Sequence, residues 1–487
     1  MHIYKPFYKK LWPLLILLIT LGCMQGCKPS GALRQLSLRA LPDTSFTVRN
    51  NADTLTSIPV WRNYFRDALL IRLIDTALIN NPDYQIALRQ IDIARAQLQM
   101  RRAALLPTVN GIVSGGIDKY GDYTMNGVGN FDTNLSPNIK SDQRIPNPTP
   151  DLFVGFRSSW EIDVWGRLKA QRNAVASQLL ATEQGVRFTK TQVVAMVAEL
   201  YYTLQAIDDE LQIVDKNLAL QKQALDIVKV QKDAGRATEL AVQQFAAQIH
   251  NTNAIKIQLQ QELIAAENLL NQTLGRYPKR IDRTQSFINM PTPLLPVVAS
   301  LKDMLLQRPD VQQASLQLAA ANFDIKAAQA AFYPAISLTP YLAFNAFNLA
   351  TWFRPGSLAY GGLAGLTAPI FQQRQLKTNL AIQDNVRQQQ HWVYQQKLLH
   401  SFSEFATQWH NYNHQEQILQ QKQQEVAALT AAVTTAKELY AAGFANYLEV
   451  ITTQKGALEA ELQLITAKKN WMLSSVHLYQ SLGGGWQ

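Results

Sequence analysis

The chain has 487 residues, of which 47% are hydrophobic and 17% charged, so it is neither a disordered polymer nor too short to bury a core. Its net charge of +10 is spread along the sequence, with no basic run interleaved with aromatics, which argues against nucleic acid as a partner. It contains no P-loop, no Gly-x-Gly-x-x-Gly after a strand and no His-Glu-x-x-His, so the common signatures of nucleotide and zinc enzymes are missing.

The amino terminus reads as an export signal. His2, Lys5, Lys9 and Lys10 form a basic region, and residues 11–21 form an apolar stretch too short to span a bilayer. That stretch runs into Gly22-Cys23 and Gly26-Cys27, which hold the only two cysteines of the chain. No disulfide framework can be built from them after cleavage, so a lipid attachment site is the natural use for one. Residues 1–26 are therefore expected to be a lipoprotein signal peptide, with Cys27 modified and the polar Lys28, Pro29 and Ser30 opening a linker. Cys23 is the alternative site, and neither cysteine has Leu three positions before it. An ordinary secretory signal with two incidental cysteines is the other reading. No later stretch is apolar enough for a membrane helix, so a membrane crossing has to be made by strands.

From residue 81 onward the chain repeats itself. Asn81-Pro82-Asp83 opens a helix ending at Leu106-Pro107, and Arg308-Pro309-Asp310 opens one ending at Tyr333-Pro334, 227 residues on. Gln85, Ala87, Gln90, Ala94, Ala103 and Ala104 recur as the same residues at that offset. After each helix come two strand-like segments, 108–118 and 152–164 in the first copy, 335–347 and 358–371 in the second. In the last of these, Leu358, Tyr360, Gly362, Ala364, Leu366 and Ala368 share one side. Trp160, Tyr341 and Trp352 are candidate membrane-interface aromatics. The Gly-, Asn- and Pro-rich residues 119–150 read as a surface loop that lengthens the first copy.

Two proline-free helical hairpins complete the copies. Long helices are expected over 167–234 and 375–442, with shorter partners over 240–274 and 448–482. Apolar residues recur at helical spacing, as in Val193, Val194, Val197, Leu200, Tyr201 and Leu204. The hairpins turn at Gly235 and Gly443, 208 residues apart, and end at Leu274-Gly275 and Leu482-Gly483 at the same offset. Matching punctuation in fixed order is a duplication signal. A helix of some 68 residues spans roughly 100 Å, beyond any ordinary globular domain. Four strands cannot close a barrel, and an open edge is not tolerated in lipid, so several copies must share one barrel. Three copies give twelve strands, within the known range for membrane barrels. The expected fold is a mixed α/β membrane protein. Its trimeric 12-stranded barrel, four strands per chain, is continued by a long α-helical barrel.

The words Trp160-Glu161-Ile162-Asp163-Val164-Trp165-Gly166-Arg167, Arg308-Pro309-Asp310, Ala320-Ala321-Asn322-Phe323-Asp324-Ile325, Phe332-Tyr333-Pro334-Ala335-Ile336-Ser337-Leu338 and Leu482-Gly483-Gly484-Gly485-Trp486 carry a resemblance. From about Trp61 to its end the chain is similar to the TolC-like outer-membrane factors, in their efflux lipoprotein branch. The resemblance implies a homotrimer anchored to outer-membrane lipid, with a periplasmic tunnel and no catalysis, cofactor or metal. It also implies a periplasmic adaptor and an inner-membrane pump of the RND type as partners. On that reading residues 27–80 are the lipidated segment and first equatorial part, 81–277 the first repeat, 278–307 an equatorial linker and 308–487 the second repeat. The function implied is a passive exit duct for small molecules such as drugs, toxic compounds or metal ions. A duct for type I protein secretion and a periplasmic adaptor lipoprotein are the alternatives. An adaptor has one hairpin, whereas two are expected here.

The family's turns close the periplasmic end. By that likeness Tyr440 and Glu449 are gate residues beside Gly443, while Ala241 and Ala445 stand where the family has charges. Arg236 and Glu239, near Gly235, are candidates to supply the missing charge. Two further patterns have simpler explanations. His410 and His414, at i and i+4, read as a solvated helix face rather than a metal site. Glu161 and Asp163 read as a strand-to-helix junction rather than an acid–base pair.

Overall fold

In a computed structural model, residues 58–283, 286–291 and 301–487 are described, together with Ser37. Cys23 and Cys27, with the expected signal and lipid anchor, lie outside the described residues. The elements are α1 (Trp61–Tyr64), α2 (Ala68–Asn80), α3 (Pro82–Ala103), β1 (Thr108–Asp118), α4 (Met125–Leu135), β2 (Thr149–Ile162) and α5 (Arg167–Asp233). They continue with α6 (Glu239–Thr273), α7 (Leu301–Gln307), α8 (Pro309–Ala330), β3 (Ala335–Ala346), β4 (Leu358–Thr367), α9 (Gln373–Ala442) and α10 (Tyr447–Ser481). The fold is mostly helical with one small sheet. No described helix is long and apolar enough to cross a membrane. The chain forms two compact units, each assembled from parts of both copies.

The first unit takes its described residues from Ala94–Leu179 and Gln317–His391. Its sheet has the order β1-β2-β3-β4, antiparallel throughout. The ladder between β3 and β4 runs out at Ala335 and Thr367. Pro334 and Pro369 lie just beyond, and neither has an N–H to give. This is why β4 stops short of the expected 371. The strongest sequence words meet at the strand-to-helix junction. Asp163 accepts from the N–H groups of Leu168 (3.0 Å) and Lys169 (2.7 Å), filling orphan donors at the start of α5. Arg167 Nη2 donates to both oxygens of Glu161 at 2.7 Å. Trp165 stacks on Tyr333 and donates to the Pro334 carbonyl at 2.8 Å. Glu161 and Asp163 thus hold a corner, as the junction reading expects.

The second unit takes its described residues from Ser37–Ile93, Leu180–Leu316 and Trp392–Gln487. Its main core joins Trp61, Phe65, Leu70 and Ile74 to Val194, Val197, Tyr201 and Leu204 of α5, Leu270 of α6, and Met472, Val476 and Tyr479 of α10. The apolar spacing read on α5 is this buried stripe. Tyr64 stacks on Tyr479 and donates to the Ser475 carbonyl at 2.8 Å, so the segment before α2 is pinned to α10.

Duplication shows in the hydrogen bonds. Gly235, Gly275, Gly443 and Gly483 all have positive φ, from 66° to 85°. At each one the next residue's N–H reaches five residues back and the glycine's own N–H three back, closing the helix end. Thr238 caps α6 and Asn446 caps α10, again 208 residues apart. Gln85 Nε2 donates to the Ile79 carbonyl (2.7 Å), and Gln312, 227 residues on, to the Leu306 carbonyl (2.6 Å). Asn81 Nδ2 donates to Thr273 O (2.8 Å), and its counterpart Arg308 to Ser481 O (2.6 Å).

Candidate functional site: a two-faced sheet and paired hairpin turns

The register sorts the sheet into an apolar and a polar face. Side chains alternate along a strand, so partners in register share a face. Pairing Val113 with Val154, Val154 with Phe344, and Phe344 with Leu358 fixes one face across all four strands. That face carries Val109, Val113 and Ile117, then Leu152, Val154 and Phe156, then Leu338, Leu342 and Phe344, then Leu358, Tyr360 and Leu366. The opposite face is the more polar one, with Asn110, Ser114, Asp118, Arg157, Ser159, Ser337, Thr339 and Asn345, and with Ile112, Phe153 and Leu363 among them. The apolar face is open in the single chain: Val113 is 75% exposed and Leu366 69%. A soluble sheet would bury it; a membrane barrel turns it to lipid and the polar face inward. Trp160 lies on the apolar face, and its indole donates to the Leu105 carbonyl at 3.0 Å. Tyr341 falls on the polar face, because the pleat pairs it with Arg157.

The hairpin turns are built alike and used differently. Near Gly235, Lys232 and Glu239 form an ion pair at 2.5 Å across the turn. The hydrogen bond and charge of that pair raise the Lys232 pKa and lower that of Glu239. Near Gly443, Tyr440 is the counterpart of Lys232 under the 208-residue offset, and Tyr447 that of Glu239. Tyr440 does not close its own turn. Its hydroxyl donates to Gln231 Oε1 on α5 at 2.5 Å, linking the two hairpins, and burial raises its pKa. Tyr447 and Ile451 of α10 pack on Val228, Ala241 and Phe245 of the first hairpin. Arg236 is exposed and makes no side-chain bond among the described residues. Glu449 is also exposed; its N–H donates to Asn446 Oδ1 at 3.1 Å, and its carboxylate has no partner among the described residues. Gln231 and Lys232 were not singled out by sequence. For Lys232 the signal was available, since the 208-residue offset lays it on Tyr440.

His410 and His414 sit with ring centroids 6.3 Å apart. Among the described residues no group of three or more His, Cys, Asp or Glu could hold a metal ion.

Comparison with known proteins agrees with this geometry. CusC, a cation efflux system protein of Escherichia coli O6:H1, is 31% identical over 429 residues, 88% of each chain. The probable outer membrane lipoprotein SilC of Salmonella typhimurium is 30% identical over 431 residues, again 88% of each. A crystal structure of CusC, solved to follow folding and transmembrane channel formation, superposes with a TM-score of 0.80 at 29% identity, covering 93% of this chain and 99% of that one. The family model for outer membrane efflux proteins matches residues 73–276 and 300–484, so the chain belongs to that family.

Proposed function

We propose that this outer-membrane efflux protein is one third of a trimeric exit duct. The observation that carries the proposal is the sheet: four antiparallel strands, apolar on one face and polar on the other, with β1 and β4 each unpaired on its outer side among the described residues. Such edges are forbidden in lipid and are satisfied when β1 of one copy meets β4 of the next. Three copies close a ring of twelve strands with a polar lumen. Helices of 67 and 70 residues then supply a long periplasmic passage lined by six hairpins. Two equivalent hairpins tell against the adaptor reading.

In this role the chain performs no catalysis and is a passive conduit. It works with a periplasmic adaptor and an inner-membrane pump, here assigned to the RND type, and the pump selects the cargo. The efflux system of CusC handles cations by name; a cation is therefore one candidate cargo beside drugs and other toxic compounds. Cys27 carries the lipid, consistent with the lipoprotein description of SilC. The closed state is held at the hairpin turns. The Tyr440–Gln231 bond ties the two hairpins of one chain, and Arg236 and Glu449, unpaired among the described residues, are left to meet neighbouring copies. The Tyr440–Gln231 bond, between neutral groups, biases the closed state by about 0.5–1.5 kcal/mol, and charge-assisted bonds from Arg236 or Glu449 to a neighbouring copy would add to it.

Two measurements test the proposal. Native mass spectrometry of detergent-extracted protein should give a trimer; a stable monomer would refute the shared barrel. In planar bilayers, Tyr440→Phe combined with Glu449→Gln should raise conductance or open time. Conductance equal to the parent's would place the gate elsewhere.

A further inference from the structure

The loop between β1 and β2 carries a helix whose apolar side faces outward. On α4 the partly covered positions are Gly127, Asn130 and Asn134. The two asparagines grip the chain's own loop. Asn134 Nδ2 donates to the Ile145 carbonyl at 2.9 Å, and its Oδ1 accepts from the Ile145 N–H at 2.8 Å. Asn130 Nδ2 donates to Thr149 Oγ1 at 3.4 Å. Met125, Val128, Phe131 and Leu135, spaced by three or four residues, form a separate stripe that is 57–90% exposed. Thr124 caps this helix, accepting from the Gly127 N–H at 3.1 Å, so the stripe is presented by an ordered element.

The chemistry and topology of the loop select its occupant. A helix that lies in lipid headgroups carries Lys and Arg on its polar side. The only charge on α4 is Asp132, so a membrane surface is a poor match. The antiparallel order puts the loop after β1 and the loop before β4 at the same end of the sheet. Within one chain these loops are joined by Arg354 and Asp142, at 2.8 Å. β1 and β4 are the two outer strands, so edge-to-edge pairing brings α4 of one copy beside the 347–357 loop of the next. That loop offers Leu349 and Phe353, both exposed in the single chain.

We propose that the apolar stripe of α4 docks on the 347–357 loop of a second copy of this chain, clasping each junction at one rim of the barrel. The proposal rests on the shared-barrel reading above. The test is a photo-crosslinker, p-benzoylphenylalanine, incorporated in place of Phe131 in the full-length protein in its native membrane. Irradiation should give a covalent dimer whose joined peptide lies within 347–357 of the other copy. In parallel, Val128→Asp with Phe131→Asp should make the detergent-extracted trimer dissociate at least about ten-fold faster, since two apolar contacts are lost at every junction. Crosslinks to lipid alone, or unchanged dissociation of an intact trimer, would overturn the clasp and leave the shared barrel standing. A monomer by native mass spectrometry would remove both.

Discussion

Replacing Arg308 tests how the second copy is fastened. Its guanidinium is 4% exposed and reaches three acceptors. It donates to both oxygens of Asp310 at 3.0 and 3.1 Å and to the Ser481 carbonyl at 2.6 Å, and forms an ion pair with Glu404 at 2.8 Å. Arg308→Met keeps much of the volume but leaves the buried Asp310 carboxylate and the carbonyl at the end of α10 without their donor. Removing one partner of a buried ion pair costs about 3–5 kcal/mol, because the remaining charge stays desolvated. Unfolding entropy of ~2.1 cal/mol/K per residue over a unit of about 290 residues gives ~0.6 kcal/mol/K, so the melting temperature should fall by about 5–8 °C. Adding Asp310→Asn should recover part of the loss, because the stranded charge goes with it. Thermal unfolding followed by tryptophan fluorescence is suited to the site, since Trp409 and Trp471 pack on the cluster holding Leu305, Phe405 and Leu482. A fall below about 2 °C, or a double variant as unstable as the sum of its parts, would show that the network is not coupled as described.

Three further outcomes are expected. Burial raises the Glu210 pKa above its ordinary 4.5, against the opposing pull of Lys469 and Thr466. A carboxyl whose pKa is higher folded than unfolded loses stability as pH rises from the unfolded value through the folded one. Glu210→Gln should therefore raise the melting temperature at pH 7, with the gain vanishing below about pH 4.5, and a gain constant across that range would refute the cause. Gly155 lies opposite Ala343 in the β2–β3 register, where an added Cβ would overlap Ala343 and the Leu342 carbonyl. Gly155→Val should cost about 1–3 kcal/mol and deplete assembled protein in the outer membrane, whereas wild-type amounts would refute the close approach. Mass spectrometry of the mature amino terminus should find an acylated Cys27; an acylated Cys23 would move the site, and an unmodified start would remove it.

Backbone devices were the most legible part of the chain. Gly235, Gly275, Gly443 and Gly483 mark helix ends because few residues other than glycine take positive φ without strain, and Pro107 and Pro334 bound the strands. The alternation of Leu358, Tyr360 and Leu366 gave the correct face because a pleat has only two sides. What sequence did not reveal depends on distant partners. α4 contains Gly127 and Gly129 and lies within residues read as a surface loop. It is held by Asn130 and Asn134 reaching the 145–149 segment, a contact that no local propensity encodes. The partner of Tyr440 was invisible for the same reason, since Gln231 lies 209 residues away on the other hairpin.

The two copies keep their backbone hydrogen bonds and exchange the side chains around them, and that difference carries the functional argument. Both copies end their hairpins with the same glycine closure and start the return helix with a side-chain cap, so the turn geometry is duplicated intact. Around that shared frame the first copy spends its charges locally, with Lys232 closing on Glu239. The second copy has tyrosines at both equivalent positions and sends Tyr440 across to the first. The same divergence recurs at the other end of the return helices. Asn81 makes a neutral bond to the Thr273 carbonyl, whereas Arg308 brings a buried charge to the Ser481 carbonyl and binds Asp310 and Glu404 with it. A strictly symmetric pair of hairpins would give six equivalent turns in a trimer and no reason for one set to move before the other. Here the first turn is closed on itself by an ion pair, whereas the second turn is held through its neighbour, by the neutral Tyr440–Gln231 bond, worth about 0.5–1.5 kcal/mol, and by Tyr447 and Ile451 packed on Val228, Ala241 and Phe245. If the turns separate on opening, the Tyr440–Gln231 bond between the hairpins should be lost before the Lys232–Glu239 pair, which lies within one turn and need not break.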